Sequence, residues 1–208
     1  ISAPELNINE PADLRGKKIG LPGLFGANYI GLEALLFEGG VDPSEVSMDA
    51  IGFNQVEAYA SGNSDIVVGY AANEPIVLAS QGFDLKEMRV ADYVDLIANG
   101  IVTNEDTIAN DPELVRGMAK ALARGIEATI NNPEEAYDIS LKFVENLKDQ
   151  DKAVQMQVLN TSIEFWKADQ IGYSNPQAWE NMNNVLVKMA LIPEPIDLSK
   201  AFTNEFIP

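Results

Sequence analysis

The stretch that decides the fold is Leu21-Pro22-Gly23-Leu24-Phe25-Gly26-Ala27-Asn28. An apolar strand predicted over residues 18–21 runs into this glycine turn, and a segment with helical periodicity follows it until Gly39 and Gly40. Strand, glycine turn and helix form one half of an α/β crossover unit. Such a turn brings backbone N–H groups close to whatever lies above the carboxyl end of the strand. Taken alone, the stretch also fits a plain strand-to-helix turn, so the rest of the chain decides between the two interpretations.

The pattern up to residue 97 repeats this unit. Further strands are predicted near 46–51, 65–68 and 88–90, and helices that begin near Asn54 and Asn73 lie between them. Strands that alternate with helices are typical of a mostly parallel sheet flanked by helices. The fold class predicted for this part is therefore α/β.

The pattern changes after residue 97, and the rest of the chain is mostly helical. A last strand is predicted over 99–103, and the helices predicted after it cover 112–130, a segment from 133, 151–168 and 176–190. We therefore predict three segments, which are an irregular N-terminal segment over 1–12, an α/β lobe over 13–97 and a mostly helical remainder over 98–208.

Three loops follow the first three predicted strands, and ligands of parallel sheets bind at the carboxyl ends of the strands. The candidate ligand-binding residues are therefore Gly23, Leu24, Phe25, Gly26, Ala27 and Asn28 in the first loop, Phe53, Asn54 and Gln55 in the second, and Gly69, Tyr70, Asn73 and Glu74 in the third. Each loop carries one aromatic residue, for which core packing is the alternative role. For Asn54 and Asn73 the alternative role is to cap a helix, and Glu57 completes a capping-box pattern with Asn54.

The composition excludes several kinds of chemistry. The 208 residues include no Cys and no His, so thiolate and imidazole nucleophiles, bases and metal ligands are excluded within them. The formal net charge of −18 argues against nucleic acid and anionic membrane surfaces as partners, because both attract basic proteins. No apolar run approaches the length of a membrane-spanning helix. Only carboxylates, hydroxyls, Lys, Arg and Tyr remain for chemistry, and we predict no metal site and no cofactor.

Several motifs resemble those of the substrate-binding proteins of ABC transporters. Ala12-Asp13-Leu14-Arg15-Gly16-Lys17-Lys18-Ile19-Gly20 resembles the opening of the second lobe in these proteins. Residues 59–65, 69–75 and 202–206 carry further matches. The last two are typical of the NMT1/THI5-like subgroup, which includes binders of thiamine precursors and riboflavin and, more distantly, of nitrate and sulphonates. The likeness covers nearly all of the chain.

This resemblance implies a periplasmic-binding-protein-like fold of type II and a solute-binding role. The implied partners are a small-molecule ligand and an ABC permease in the membrane, and the implied location is periplasmic or extracellular, with a lipid anchor as an option. Family members have further residues before the opening motif that form most of the first lobe. The resemblance therefore implies that residues 13–97 form the second lobe and that residues 98–208 form the hinge return and the mostly helical remainder of the first lobe. The later helices carry apolar stripes that include Phe143, Trp166 and Trp179. We therefore expect these stripes to be covered by self-association, by a missing N-terminal piece, or by a first-lobe sheet rebuilt from residues 1–12 and the tail.

The resemblance also implies binding rather than catalysis, because the pyrimidine-synthesising enzymes of the superfamily look to use a histidine and a cysteine-rich motif. No Lys or Arg lies in the three loops, and Glu74 does. A carboxylate without a neighbouring cation favours a neutral heteroaromatic ligand, such as a thiamine pyrimidine or riboflavin. The alternatives are a nitrate- or sulphonate-type binding protein, the ligand-sensing domain of a regulator, and an enzyme with Tyr70 and Glu74 as a weakly indicated acid–base pair.

Overall fold

The computed structural model describes residues 1–97 and 99–208 and divides them into two compact units. The α/β unit consists of Ile1–Ile97 and Pro176–Ile196. The helical unit consists of the described part of Ala98–Asn175 and of Asp197–Pro208. Ala98, with which the third predicted segment begins, lies outside the described residues. The assignment of the three predicted segments to two lobes stays a prediction.

The sheet of the α/β unit is small and parallel at its centre. Strand β1 (Lys18–Leu21) pairs in parallel with strand β2 (Ser47–Ala50), with Lys18 opposite Ser47. The first predicted strand is thus confirmed, and the second is confirmed in a shorter form. The segment 66–67 continues the sheet on the other side of β1, where Val67 forms a parallel bridge with Gly20. The predicted strand over 65–68 is therefore reduced to isolated bridges at Ile66 and Val67.

The N-terminal residues also belong to this sheet. Ser2 forms antiparallel bridges with both Ile66 and Lys86, and the backbones of Ser2 and Lys86 exchange two hydrogen bonds of 2.9 Å. The strand predicted near 88–90 is wrong, because the pairing with Ser2 occurs earlier, at Lys86, and Val90–Asp92 forms a 3₁₀ turn. The strand predicted over 99–103 is also wrong. These residues are exposed and pair with no other strand in the described part of the chain.

Eight α-helices are present among the described residues. They are α1 (Gly26–Glu38), α2 (Gln55–Ala60), α3 (Glu74–Ser80), α4 (Glu105–Asn110), α5 (Pro112–Asn131), α6 (Pro133–Ser140), α7 (Lys152–Trp166) and α8 (Pro176–Lys188). Short 3₁₀ turns lie at Pro4–Leu6, Pro11–Leu14, Pro43–Glu45, Val90–Asp92, Leu147–Asp149 and Leu198–Lys200. None of the described helices is long and apolar enough to cross a membrane.

In the helical unit Asn104 caps the short helix α4, and three longer helices also begin at side-chain caps. Asp111, Asn132 and Asp151 accept hydrogen bonds from backbone N–H groups in the first turns of α5, α6 and α7, and Pro112 and Pro133 open the first two of these helices. An N-cap satisfies donors that the helix itself leaves unpaired, which explains why these boundaries were predictable from sequence.

The core of the α/β unit forms between the sheet and α1. Strand β1 contributes Ile19 and Leu21, and helix α1 contributes Leu32 and Leu36, all of which are buried. A second cluster on the sheet contains Tyr59, Val67 and Leu78. Because these side chains fix the strands from both sides, the loops at the ends of the strands project from a rigid base.

Candidate functional site

The three predicted loops begin at the same edge of the sheet. Strands β1 and β2 are parallel, and Val67 pairs in parallel with Gly20 of β1. The chain therefore leaves all three sheet segments in the same direction. It enters the loops 23–28, 52–55 and 69–74 there. Sheet topology brings these loops together, although 23 residues separate the first loop from the second and 13 separate the second from the third.

The backbone carbonyl of Val68 ties the three loops to one another. It accepts a hydrogen bond of 3.0 Å from Asn28 Nδ2 and one of 3.3 Å from Gln55 Nε2. The N–H of Val68 donates to the carbonyl of Gly20 at 2.8 Å. Gln55 is only 4% exposed, so its amide group serves inside the fold. The amino-acid sequence does not point to Val68, because a backbone oxygen leaves no signature in the pattern of side chains.

The third loop is held by the carboxylate of Glu74. Oε2 of Glu74 accepts a 2.7 Å hydrogen bond from the backbone N–H of Tyr70, and the Glu74 side chain is buried. The N–H of Asn73 donates to the Tyr70 carbonyl at 2.9 Å, which closes the turn between Tyr70 and Asn73. The carboxylate thus lies beneath the turn, where it bonds to backbone.

The large apolar side chains of the loops are exposed. Phe25 is 63% exposed, Phe53 80% and Tyr70 52%, and Leu24 is also exposed. Core packing, the alternative role for the three aromatic residues, is therefore wrong. The Phe25 ring lies directly against Gly23, where an added Cβ atom would come within 2.3 Å of the ring. Gly23 thus provides the space in which this ring rests.

The remaining loop residues shape the backbone. Gly26 and Gly52 have φ angles of +70° and +68°, a left-handed conformation that favours glycine. Ala27 lies in the exposed first turn of α1. The capping roles considered for Asn54 and Asn73 are wrong, because neither side chain bonds to the first turn of its helix. The Asn54 side chain instead donates to the carbonyl of Ile51 at 3.2 Å.

A buried carboxyl group lies on α1, the helix that follows the first loop. Glu33, on α1, is buried, and desolvation raises its pKa. The hydroxyl of Tyr29 donates a hydrogen bond to Glu33, which lowers the pKa by a smaller amount. The negative charge of Asp42 raises it slightly. Among the described residues, no cluster of three carboxylates could hold a metal ion.

The three loops present flat apolar surface beside a few polar groups. The exposed groups are three aromatic rings and the amides of Asn54 and Asn73, whereas Gln55 and Glu74 are buried. Rings of this kind stack on planar ligands and contribute on the order of 1 kcal/mol each beyond the burial of area. Whether the loop residues bind a ligand stays a prediction.

Comparison with known proteins places the chain in a family. The family model described as NMT1/THI5 like matches residues 1–136. The riboflavin-binding protein RibY of Chloroflexus aurantiacus is 39% identical over 212 residues, and the match covers all of this chain and 60% of RibY. A 4-amino-5-hydroxymethyl-2-methylpyrimidine phosphate synthase of Legionella pneumophila is 25% identical, with 100% and 65% covered. A formylaminopyrimidine-binding protein of Halalkalibacterium halodurans is 26% identical, with 96% and 62% covered.

Solved structures agree on the fold. The periplasmic aliphatic sulphonate binding protein SsuA of Escherichia coli matches with a TM-score of 0.70 at 13% identity, over 94% of this chain and 61% of SsuA. A ligand-binding component of an ABC-type import system from Staphylococcus aureus matches with a TM-score of 0.60 at 12% identity, over 90% and 62% of the two chains. The predicted periplasmic-binding-protein-like α/β fold is confirmed. The chain spans about 60 to 65% of the length of the three curated relatives.

Proposed function

Because this chain belongs to the NMT1/THI5-like family, we propose that it forms part of a solute-binding component of an ABC importer that captures a small heteroaromatic ligand. The observation that carries this proposal is the set of three exposed rings, Phe25, Phe53 and Tyr70, on loops that converge at the Val68 carbonyl. A flat ring system is the ligand that such a surface suits best.

Riboflavin is the first ligand to test, and a thiamine pyrimidine precursor is the second. The relative at 39% identity is named a riboflavin-binding protein, and one at 26% identity is named for a formylaminopyrimidine. Both compounds present planar heterocycles. The likeness to SsuA shows only the fold, and none of the three loops carries a Lys or Arg to bind a sulphonate.

Binding without turnover is part of the proposal. Several relatives are named pyrimidine phosphate synthases, so the family includes enzymes as well as binding proteins. The 208 residues of this chain supply no His and no Cys for proton transfer or nucleophilic attack. We expect the ligand to be captured outside the cytoplasm when two lobes close on it, and the α/β unit would provide one of these lobes. The closed protein would then deliver the ligand to a permease in the membrane. Self-association stays a prediction.

Calorimetric titration with riboflavin tests the proposal, with a thiamine pyrimidine as the second titrant. Phe53→Ala should weaken binding of the preferred ligand by about fivefold, because a lost aromatic contact is worth on the order of 1 kcal/mol. Tyr93→Ala is the matched control, since Tyr93 is an exposed aromatic residue of the same unit outside the three loops. The ligand recovered afterwards should be chemically unchanged. Failure to bind either compound, equal losses in both variants or conversion of the ligand would each contradict the proposal.

A further inference from the structure

Glu74 and Tyr70 form a contact that the proposed ligand role leaves unexplained. The sequence suggests that Glu74 hydrogen-bonds a ligand heteroatom, yet its side chain is 7% exposed and Oε2 already accepts the Tyr70 N–H at 2.7 Å. A buried carboxylate that lacks a hydrogen bond is costly, and one that accepts a backbone N–H forms a strong charge-assisted bond. The carboxylate is therefore committed to the backbone of its own loop.

The neighbouring glycine shows how closely the carboxylate fits. A Cβ atom added to Gly69 would lie 2.7 Å from Oε2 of Glu74 and 2.8 Å from its Cδ, which is closer than real Cβ contacts. The absence of a side chain at position 69 thus lets the carboxylate pack against the backbone immediately before Tyr70. Two separate features, a hydrogen bond and a steric fit, fix the Glu74 side chain under the turn.

The contact with Glu74 restricts the orientation of the Tyr70 ring. The turn from Tyr70 to Asn73 is closed by its own backbone hydrogen bond, and the Glu74 carboxylate restrains the N–H at its start. With the backbone of Tyr70 held at both N–H and carbonyl, the direction of its side chain is restricted to the rotamers that this backbone allows. The ring itself is half exposed at the edge of the sheet.

We infer that Glu74 is a positioning residue, which holds Tyr70 in the orientation that stacks on the ligand, and does not contact the ligand itself. The part of this inference that concerns a ligand rests on the proposed function. The contact by which Glu74 holds Tyr70 does not depend on that function. An alternative role as direct ligand contact predicts different behaviour of the amide variant, and the experiment uses that difference.

The experiment compares Glu74→Gln, which keeps an oxygen acceptor, with Glu74→Ala, which removes it. The first readout needs no ligand: the hydrogen exchange rate of the Tyr70 amide, measured by NMR. It should rise about tenfold or more in Glu74→Ala and much less in Glu74→Gln, because only the alanine variant loses the acceptor. The Gly20 amide, which bonds to the Ile66 carbonyl at 2.9 Å, reports whether the sheet stays intact.

The second readout is riboflavin affinity in the same variants. Glu74→Ala should weaken it about tenfold and Glu74→Gln less than about threefold, as expected for loss and retention of one strong hydrogen bond. The matched control is Glu57→Ala, which removes an exposed carboxylate from the first turn of the neighbouring helix α2. It should leave both the Tyr70 exchange rate and the affinity unchanged.

Each outcome decides a different claim. An unchanged Tyr70 exchange rate in Glu74→Ala overturns the inference. So does an equal loss of affinity in both Glu74 variants while the exchange rate in Glu74→Gln stays low, since that pattern indicates direct ligand contact. A wild-type chain that binds neither riboflavin nor a pyrimidine removes the proposed function, and the exchange rates then still decide whether Glu74 holds Tyr70.

Discussion

The two units of the molecule bury their side chains very differently. In the α/β unit, apolar residues of β1 and of α1 are buried, and Leu36 and Leu78 have no exposed surface. In the described part of the helical unit only Tyr137, Ile163 and Phe206 are buried. Helix α5 has no buried residue at all, although it has 20 residues and a clear apolar stripe. The periodicity of apolar residues predicts which face of a helix can be buried. It does not show whether another part of the structure covers that face.

Polar groups show the same contrast. The buried polar side chains of the described chain are Ser2, Glu33, Gln55, Ser64, Glu74 and Asn183, and all belong to the α/β unit. Burial of such groups is tolerated where hydrogen bonds replace water. Because Gln55 and Glu74 are bonded inside this unit, its loops can hold exposed rings in a fixed place. A function that depends on fixed geometry therefore fits the α/β unit.

The difference in burial between the two units can be tested by shortening a leucine to alanine in each unit. Leu36→Ala deletes a fully buried side chain from α1 and should lower the free energy of unfolding by about 2 to 5 kcal/mol. Leu122→Ala deletes a half-exposed side chain from α5 and should cost less than about 1 kcal/mol. Urea unfolding followed by circular dichroism gives both values. Equal losses would show that the α5 stripe is covered in solution.

A smaller effect is expected when a methyl group is added to each unit. In Gly39→Ala the new Cβ would meet backbone atoms of Pro11 and Ala12 at 2.8 Å, so we expect destabilisation by about 1 to 3 kcal/mol. In Gly125→Ala the new Cβ would have no atom within 4 Å apart from its chain neighbours and the backbone of its own helix. Better helix propensity should therefore stabilise the chain by about 0.5 to 1 kcal/mol. Opposite signs in thermal unfolding would confirm the contrast in packing, and loss of stability in both would contradict it.

The smallest effect concerns the buried carboxyl group of Glu33. Desolvation raises its pKa in the folded chain above the ordinary value of 4.5. The folded state therefore binds the proton more tightly than the unfolded state. Its favourable contribution is complete below about pH 4.5 and is lost as the pH rises through the raised pKa. In the Glu33→Gln variant the side chain carries no charge at any pH and still offers an acceptor to Tyr29. The variant should therefore be more stable than the wild-type chain near neutral pH, and this difference should disappear in acid. Urea midpoints measured at about pH 4 and about pH 7 test this, and an advantage that is independent of pH would contradict it.

Much of the candidate site was predictable because its loops follow strands. The glycine turn at 23–28 and the strand before it gave the first loop, and the alternation of strands and helices placed the other two at the same edge. The roles of individual polar residues were less predictable. Asn54 and Asn73 have typical cap sequences, yet neither caps, because local sequence cannot show which backbone group a side chain will reach.

Composition and local patterns predicted the α/β class, the starts of the helices near residues 112, 133 and 151, and the lack of Cys and His chemistry. These follow from local periodicity, local hydrogen bonds and composition. Only the tertiary structure decided that Ser2 pairs with Ile66 and Lys86, that residues 99–103 form no strand, and that Asn28 and Gln55 meet at the Val68 carbonyl. Each of these depends on a partner distant in sequence, and a strand or an amide group acquires its role only when such a partner is brought within hydrogen-bonding distance.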